Sequence, residues 1–190
     1  MPTTSDVPAD DPRPRDLRSA ASLVLVNTGD GKGKTSAAVG VVVRGLARGW
    51  SVAVVQVLKS GTWQTGEEKI CRELGVDWWA MGEGFTWDSA DLTADEAIAA
   101  EAWSHASAVI AAGHHQLVVL DEITYPINWG WVEGAEVVRA IVERPAHTNI
   151  VCTGRDAPDT LIEVADTVTA MAEVKHAYAE GIRAKKGIDY

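Results

Sequence analysis

The run Leu23-Val-Leu-Val-Asn27 passes through Thr28 into Gly29-Asp-Gly-Lys-Gly-Lys-Thr-Ser36, and this junction constrains the fold more than any other stretch. An apolar strand that ends in a glycine-rich turn and then Lys-Thr builds a phosphate cradle. The glycines let the backbone bend so that successive N–H groups converge on one anion. The helix that follows presents its free amides and the positive end of its dipole. In that arrangement Lys34 reaches a phosphate oxygen and the Thr35 hydroxyl can hold magnesium. The usual pattern opens with glycine where this chain has Thr28, so the loop is a P-loop with an altered mouth. A glycine-rich turn before an ordinary helix is the weaker reading, because Gly-Lys-Thr after a buried strand is a specific combination.

Downstream, short apolar runs alternate with stretches of helical periodicity. Strands are expected at 23–27, 52–58, 76–81, 117–121, 149–153 and 167–174, and helices at 34–48, 66–74, 93–112, 134–143 and 158–165. The strand runs are rich in Val, Ile and Leu and mostly continuous, the pattern of strands covered on both faces. Thr93 and Glu96 have capping-box spacing at the start of the third helix. Pro158 suits the first turn of the last helix, where its missing N–H costs nothing. Repeated βα alternation predicts an α/β fold, a mainly parallel sheet flanked by helices on both faces. Ligands of such sheets gather at the carboxyl ends of the strands, where the loop after Asn27 opens. Residues 1–20 are set apart: Pro2, Pro8, Pro12 and Pro14 stand among Asp, Arg and Thr with little to bury. A disordered arm is expected there, and one folded domain over 21–190.

At 190 residues with a formal net charge of −10, the chain is sized for one domain and lacks the clustered Lys and Arg of non-specific nucleic-acid binders. An anionic ligand remains compatible, because a phosphate loop draws its positive potential from amides and one lysine. Cys71 and Cys152 show no metal or redox spacing and read as reduced thiols. Neither a basic-then-apolar leader nor an apolar run of membrane length is seen, so a cytoplasmic location is expected, without a membrane partner. His105, His114, His115 and His147 make no metal-ligand pattern and read as structural. Trp50, Trp78, Trp79 and Trp103 read as packing residues.

The second informative segment is Leu117-Val-Val-Leu-Asp121-Glu122, an apolar run that delivers two carboxylates to the ligand edge. Such a strand is expected beside the phosphate-loop strand, its acid ordering a magnesium ion. Alone, the two acids would serve equally well as a polar strand end; with the loop they predict Mg·ATP binding. Gly82-Glu-Gly-Phe-Thr-Trp87 places two aromatics in a loop straight after a strand, and Phe85 is the chain's one phenylalanine. That loop fits a flat or apolar partner, or a plug beneath a long connection. Arg155, in Thr153-Gly-Arg155, is expected at the same edge, within reach of phosphate or adenine, or else in solvent. Lys59-Ser-Gly-Thr-Trp63 and Lys175-His176 follow strands and can face ligand or water, while Trp129 and Trp131 follow the acids.

Taken together, these segments resemble the corrinoid adenosyltransferases of the cobalamin pathway, in their P-loop type. The resemblance rests on Asn27-Thr-Gly-Asp-Gly-Lys-Gly-Lys-Thr35, Lys59-Ser-Gly-Thr-Trp63 with Gly66-Glu67, and Gly84-Phe-Thr-Trp87. It continues through Leu120-Asp-Glu-Ile-Thr-Tyr125, Thr153-Gly-Arg155, Ala165-Asp-Thr-Val168, Lys175-His176 and Gly187-Ile-Asp-Tyr190, covering about residues 23–190. Gly-Phe-Thr-Trp and Gly-Ile-Asp-Tyr separate it from other P-loop proteins. The resemblance implies a P-loop NTPase-like, RecA-like sheet. It also implies transfer of the 5′-deoxyadenosyl group of ATP to cobalt(I) of a corrinoid, with release of triphosphate. The nucleotide would bind in the reverse sense to ordinary P-loop enzymes, with C5′ turned toward the corrinoid.

By the same resemblance Gly29, Asp30, Gly31, Lys32, Gly33, Lys34, Thr35 and Ser36 would hold the triphosphate. Thr35 and Glu122 would serve magnesium, with Asp121 behind them, and Arg44 and Arg155 would contact the nucleotide. Phe85 and Trp87 would face the corrinoid's lower side and displace its lower axial ligand, leaving cobalt(II) four-coordinate and easier to reduce. Lys34, Thr35 and Glu122 are the candidate catalytic residues, and a reductase such as a flavoprotein and a homodimer are the implied partners. The chain departs from the family pattern in three places. Ala177-Tyr178 stands where Ala-Phe or Pro-Phe is common, the arm is proline-rich and acidic, and Pro126 with the tryptophans after it alters the loop beyond the acids. Two other readings fit the phosphate loop taken alone: a P-loop phosphotransferase or ATPase acting on a small molecule, and a nucleotide-binding module without turnover.

Overall fold

Six apolar runs become strands of one sheet: β1 (Val24–Thr28), β2 (Val52–Ser60), β3 (Asp77–Gly82), β4 (Leu117–Asp121), β5 (Asn149–Thr153) and β6 (Thr167–Ala170). The computed structural model describes residues 14, 16–60, 65–82 and 92–189. Across the sheet the order is β3-β2-β4-β5-β1-β6, and every pairing is parallel. Successive side chains of a strand point to opposite faces. Val24, Val26, Val55, Val118, Leu120, Ile150 and Cys152 enter one core, and Val52, Val54, Leu117, Val119 and Val151 enter another on the opposite face. Burial on both sides explains why the runs are apolar without alternation.

Among the described residues six α-helices cover the sheet. They are α1 (Lys34–Leu46), α2 (Gly66–Glu73), α3 (Leu92–Ala112), α4 (Thr124–Asn128), α5 (Gly134–Val142) and α6 (Asp159–Glu163). Ala99, Ala102, Ala106 and Ile110 of α3, Val137 and Ile141 of α5 and Leu161 of α6 fill the first core. Ala38 and Val42 of α1 and Cys71 of α2 fill the second. Each fully buried Val, Leu or Ile contributes about 1.5–3 kcal/mol. Because all strands run the same way, the ends of β1, β4 and β5 open on one edge and bring the glycine loop, Asp121-Glu122 and Thr153-Gly-Arg155 together.

Several sequence expectations change. β4 does not lie beside β1; β5 stands between them. The last strand stops at Ala170, not 174, because the chain peels off onto the glycine loop, with Met171 N donating to Thr28 O at 2.8 Å. The third helix begins at Leu92, which puts Thr93 inside its first turn rather than at its cap. Pro158 is the N-cap of α6, extended at ψ 148°, one step before the first turn. The short α4 was not expected, since Thr-Tyr-Pro-Ile-Asn carries no helical periodicity. Most of the proline-rich arm lies outside the described residues, and residues 16–20 are exposed.

Candidate active site

Two glycines shape the loop through positive φ, Gly29 at 88° and Gly33 at 111°. Gly31 is required for space: a Cβ there would sit 2.6 Å from Ala172 O. The segment after β6 thus packs directly on the loop, and Gly31 N donates to Met171 O at 2.7 Å. Gly33 is the N-cap of α1 and offers no side-chain cap, which leaves the amides of the first turn open to an anion. Lys34 Nζ donates to the carbonyls of Gly29 (2.6 Å) and Gly31 (2.8 Å). Its ammonium is held below the ordinary lysine range by burial and then by the Arg155 charge, against the pull of Asp30 and Glu122. Thr28 proves to be strand rather than loop mouth. It pairs with Ala170 in β6, and its hydroxyl accepts from Ala157 N at 3.1 Å, pinning the turn after β5.

Asp121 is the hub of the site and fully buried. Its Oδ1 accepts from the hydroxyls of Thr35 (2.8 Å) and Thr153 (2.7 Å), and its Oδ2 from Gln56 Nε2 (2.9 Å) and Lys59 Nζ (3.0 Å). An ionised carboxylate has about four lone-pair sites, so these donors saturate it. Burial alone would raise its pKa, but the Lys59 charge and the hydrogen bonds hold the carboxyl below its ordinary value. Lys59 in turn loses to burial but gains more from Asp121 and Glu122, and its ammonium is raised. A buried ion pair of this kind is tolerable because further donors complete the carboxylate. Asp121 of β4 thus reaches Thr35 of α1 directly, and Thr153 of the intervening strand β5 shares the same oxygen.

Glu122 follows in a left-handed conformation, φ 66°, which is costly for a side chain with a Cβ. Thr153 helps hold it there, its hydroxyl accepting from Glu122 N at 2.9 Å. Burial, and then the charge of Asp121, raise the Glu122 carboxyl from 4.5 to about 7, although Lys59 and Lys34 oppose them. A carboxylate disfavoured by burial and by a like charge is suited to a counter-cation. Arg155 is exposed, close enough for its charge to act on Lys34, and its carbonyl accepts from Thr124 Oγ1 at 2.6 Å. Tyr125, Trp129 and Trp131 pack as tilted rings in sequence beyond the acids, with ring centroids 5.5 and 4.7 Å apart.

The remaining candidates are dispersed. Asp30 and Ser36 are exposed on the loop and the first turn of α1. Lys32 leaves the cradle and forms an ion pair with Asp189 of the C-terminal segment. A cavity of ≈ 280 Å³ lies beside that pair, lined by Gly31, Lys32, residues 172–177 and Asp189, so Lys175 and His176 share its wall with the loop. Arg44 stands apart, exposed in the last turn of α1, about 15 Å along the helix axis from Lys34. Phe85 and Trp87, with residues 61–64 and Tyr190, lie outside the described residues. Among the described residues no group of three or more His, Cys, Asp or Glu is placed to hold a metal ion. His115 bonds Asp77 at 2.8 Å, His147 bonds Gly113 O at 2.9 Å, and His105 packs edge-on to Trp79. Cys152 is an inert thiol, pushed up to about 12 by burial.

Comparison with known sequences gives the site a context. The family described as ATP:corrinoid adenosyltransferase BtuR/CobO/CobP matches residues 20–190. This chain belongs to that family. The corrinoid adenosyltransferase of Escherichia coli (strain K12) is 39% identical over 180 residues, 95% of this chain and 91% of that protein. That of Pseudomonas aeruginosa is 44% identical over 175 residues, 91% and 86% respectively. The corrinoid adenosyltransferase CobA of Salmonella typhimurium is 38% identical over 180 residues, 95% and 91%. Within this adenosyltransferase chain, sequence reasoning missed Gln56, Trp78 and Thr153 as partners of the acid pair. Gln56 left a trace, as the one polar residue inside the apolar run of β2. Trp78 and Thr153 left none, because their partners belong to strands distant in sequence.

Proposed function

We propose that this chain transfers the 5′-deoxyadenosyl group of ATP to cobalt(I) of a corrinoid and releases triphosphate, in adenosylcobalamin biosynthesis or salvage. Membership of the corrinoid adenosyltransferase family across residues 20–190, with Lys34, Thr35, Asp121 and Glu122 gathered at one sheet edge, carries this reading. Cobalt(I) attacks C5′ with its electron pair, the Co–C5′ bond forms, and the C5′–O5′ bond breaks. The electron pair of that bond leaves on the triphosphate, and cobalt is formally oxidised to cobalt(III). So strong a nucleophile needs no general base, so positioning and leaving-group stabilisation carry the catalysis.

The residues act accordingly. Lys34 exchanges the Gly29 and Gly31 carbonyls for phosphate oxygens, and the uncapped amides of α1 receive the rest of the charge. Thr35 and Glu122 fit a magnesium ion: the Thr35 proton is committed to Asp121, leaving oxygen lone pairs outward, and Glu122 is a carboxylate in need of a counter-charge. When bound, magnesium supplies further neutralisation of the leaving triphosphate. Asp121 acts through Thr35. Arg155 meets the nucleotide from the β5 side, and Phe85 and Trp87 face the corrinoid. A cytoplasmic homodimer served by a flavoprotein-type reductase completes the proposal. No helix among the described residues is long and apolar enough to cross a membrane.

Product analysis with ATP, magnesium and chemically reduced corrinoid tests the reading. Triphosphate and a light-sensitive cobalt–carbon product are expected in equal amounts. ADP or orthophosphate instead would identify another P-loop phosphotransferase or ATPase.

A further inference from the structure

Beneath the ligand edge runs a buried polar chain that the reaction itself does not use. Trp78 on β3 is 2% exposed and Gln56 on β2 is 1% exposed, among apolar neighbours. Trp78 Nε1 donates to Gln56 Oε1 at 3.0 Å, and Gln56 Nε2 donates to Asp121 Oδ2 at 2.9 Å. Chemistry dictates this direction. An indole N–H only donates and an ionised carboxylate only accepts, so the group between them must accept on one side and donate on the other. A side-chain amide does both, and in one orientation only: turned over, it would set N–H against N–H and carbonyl oxygen against carboxylate.

We propose that Gln56, oriented by the Trp78 indole, is a positioning residue for the nucleotide site, an inference that rests on the ATP-dependent function proposed above. It holds Asp121 in the rotamer from which Oδ1 meets the Thr35 hydroxyl. Oδ2 has two donors, and they differ in kind. Lys59 has three equivalent donors on a flexible stem and can follow a rotating carboxylate. Gln56 cannot, because Trp78 clamps its other end. At Oδ2 the rotational order of Asp121 therefore comes from the amide, which acts together with the Thr153 hydroxyl at Oδ1. With Asp121 ordered, the single hydroxyl proton of Thr35 stays inward and its lone pairs stay toward the cation and phosphates. With Asp121 free to turn, the Thr35 proton also turns outward for part of the time.

Calorimetric ATP binding, with magnesium and with a chelator in its place, tests this without corrinoid. Gln56→Leu is expected to lower the magnesium-dependent gain in ATP affinity about fivefold, the worth of one hydrogen bond, while metal-free ATP affinity is kept. Trp78→Phe, which keeps an aromatic side chain but deletes the pyrrole half with its N–H, is expected to give part of that loss together with a lower unfolding temperature from the cavity it leaves. Trp78→Phe added to Gln56→Leu should cost no more of that gain, since the indole acts through the amide. If Gln56→Leu fails to fold, Trp78→Phe alone decides. A folded Trp78→Phe with the full wild-type magnesium gain overturns the inference, as do equal losses with and without magnesium, which a merely structural role predicts. Wild-type protein that binds Mg·ATP but forms ADP in place of triphosphate overturns the proposed reaction and leaves the positioning role to be judged by the binding data.

Discussion

Exchanging Glu122 for glutamine isolates the one carboxyl in the site whose ionised form the fold opposes. Burial and the Asp121 charge raise it from 4.5 to about 7. Between those values the folded protein binds more protons than the unfolded chain, so stability falls as pH rises. The contribution is complete below pH 4.5 and lost once pH passes about 7. At about 1.4 kcal/mol per pH unit, ionised Glu122 costs the nucleotide-free fold up to about 3 kcal/mol at pH 8. Asp121 is shifted the other way, and its window lies below the ordinary aspartate value, outside this range. Glutamine is neutral throughout. Glu122→Gln should therefore match wild type near pH 4.5 and exceed it at pH 8, by about 6–12 °C in Tm for a domain of this size. Thermal unfolding by circular dichroism from pH 4.5 to 8.5, without nucleotide or metal, measures this. The same variant should lose its magnesium-dependent ATP affinity. Parallel Tm-against-pH curves for the two proteins would refute the reasoning.

Lys34→Ala should weaken ATP binding by about tenfold to a hundredfold, the worth of one to two charge-assisted hydrogen bonds; normal affinity in a titration would falsify the cradle assignment. Gly31→Ala places a methyl 2.6 Å from Ala172 O, so the segment after β6 must lift. A loss of about 1–3 kcal/mol is expected in denaturant unfolding, and an unchanged midpoint would show that the segment is not held there. Phe85→Ala and Trp87→Ala should impair adenosylation that starts from cobalt(II) with a reductase, yet spare it when cobalt(I) is supplied chemically. Equal loss in both assays counts against their role at the corrinoid.

β1, β2, β4 and β5 were legible because each is a short run rich in Val, Ile and Leu, which a sheet buried on both faces demands. Asp121 and Glu122 were legible as acids at the end of an apolar strand, and Lys34 and Thr35 as the start of the helix that a glycine-rich turn introduces. Boundaries were less so. Nothing in Val168 to Val174 marks Ala170 as the last paired residue, since the stop is set by Met171 bonding across to Thr28 and Gly31. α4 escaped notice because Thr-Tyr-Pro-Ile-Asn is too short to show a period and carries a proline. Thr28 was legible as a departure from the usual glycine, but its pairing with Ala170 and its hydroxyl's hold on the Ala157 amide were not.

By itself the sequence determined the α/β class, the parallel sheet, the glycine-rich loop between β1 and α1 and the acid pair at the end of β4, all of which depend on residues near one another along the chain. Only the tertiary structure decided that β5 separates β1 from β4, and with it how the site is wired. That insertion makes Thr153 the bridge between Asp121 and Glu122. The pairing of β2 with β3 and β4 brings Trp78 and Gln56 onto the same carboxylate. Strand order is set by which faces bury best across the whole molecule, and hydrogen bonds spanning 22 to 86 residues follow from that packing rather than from any local pattern.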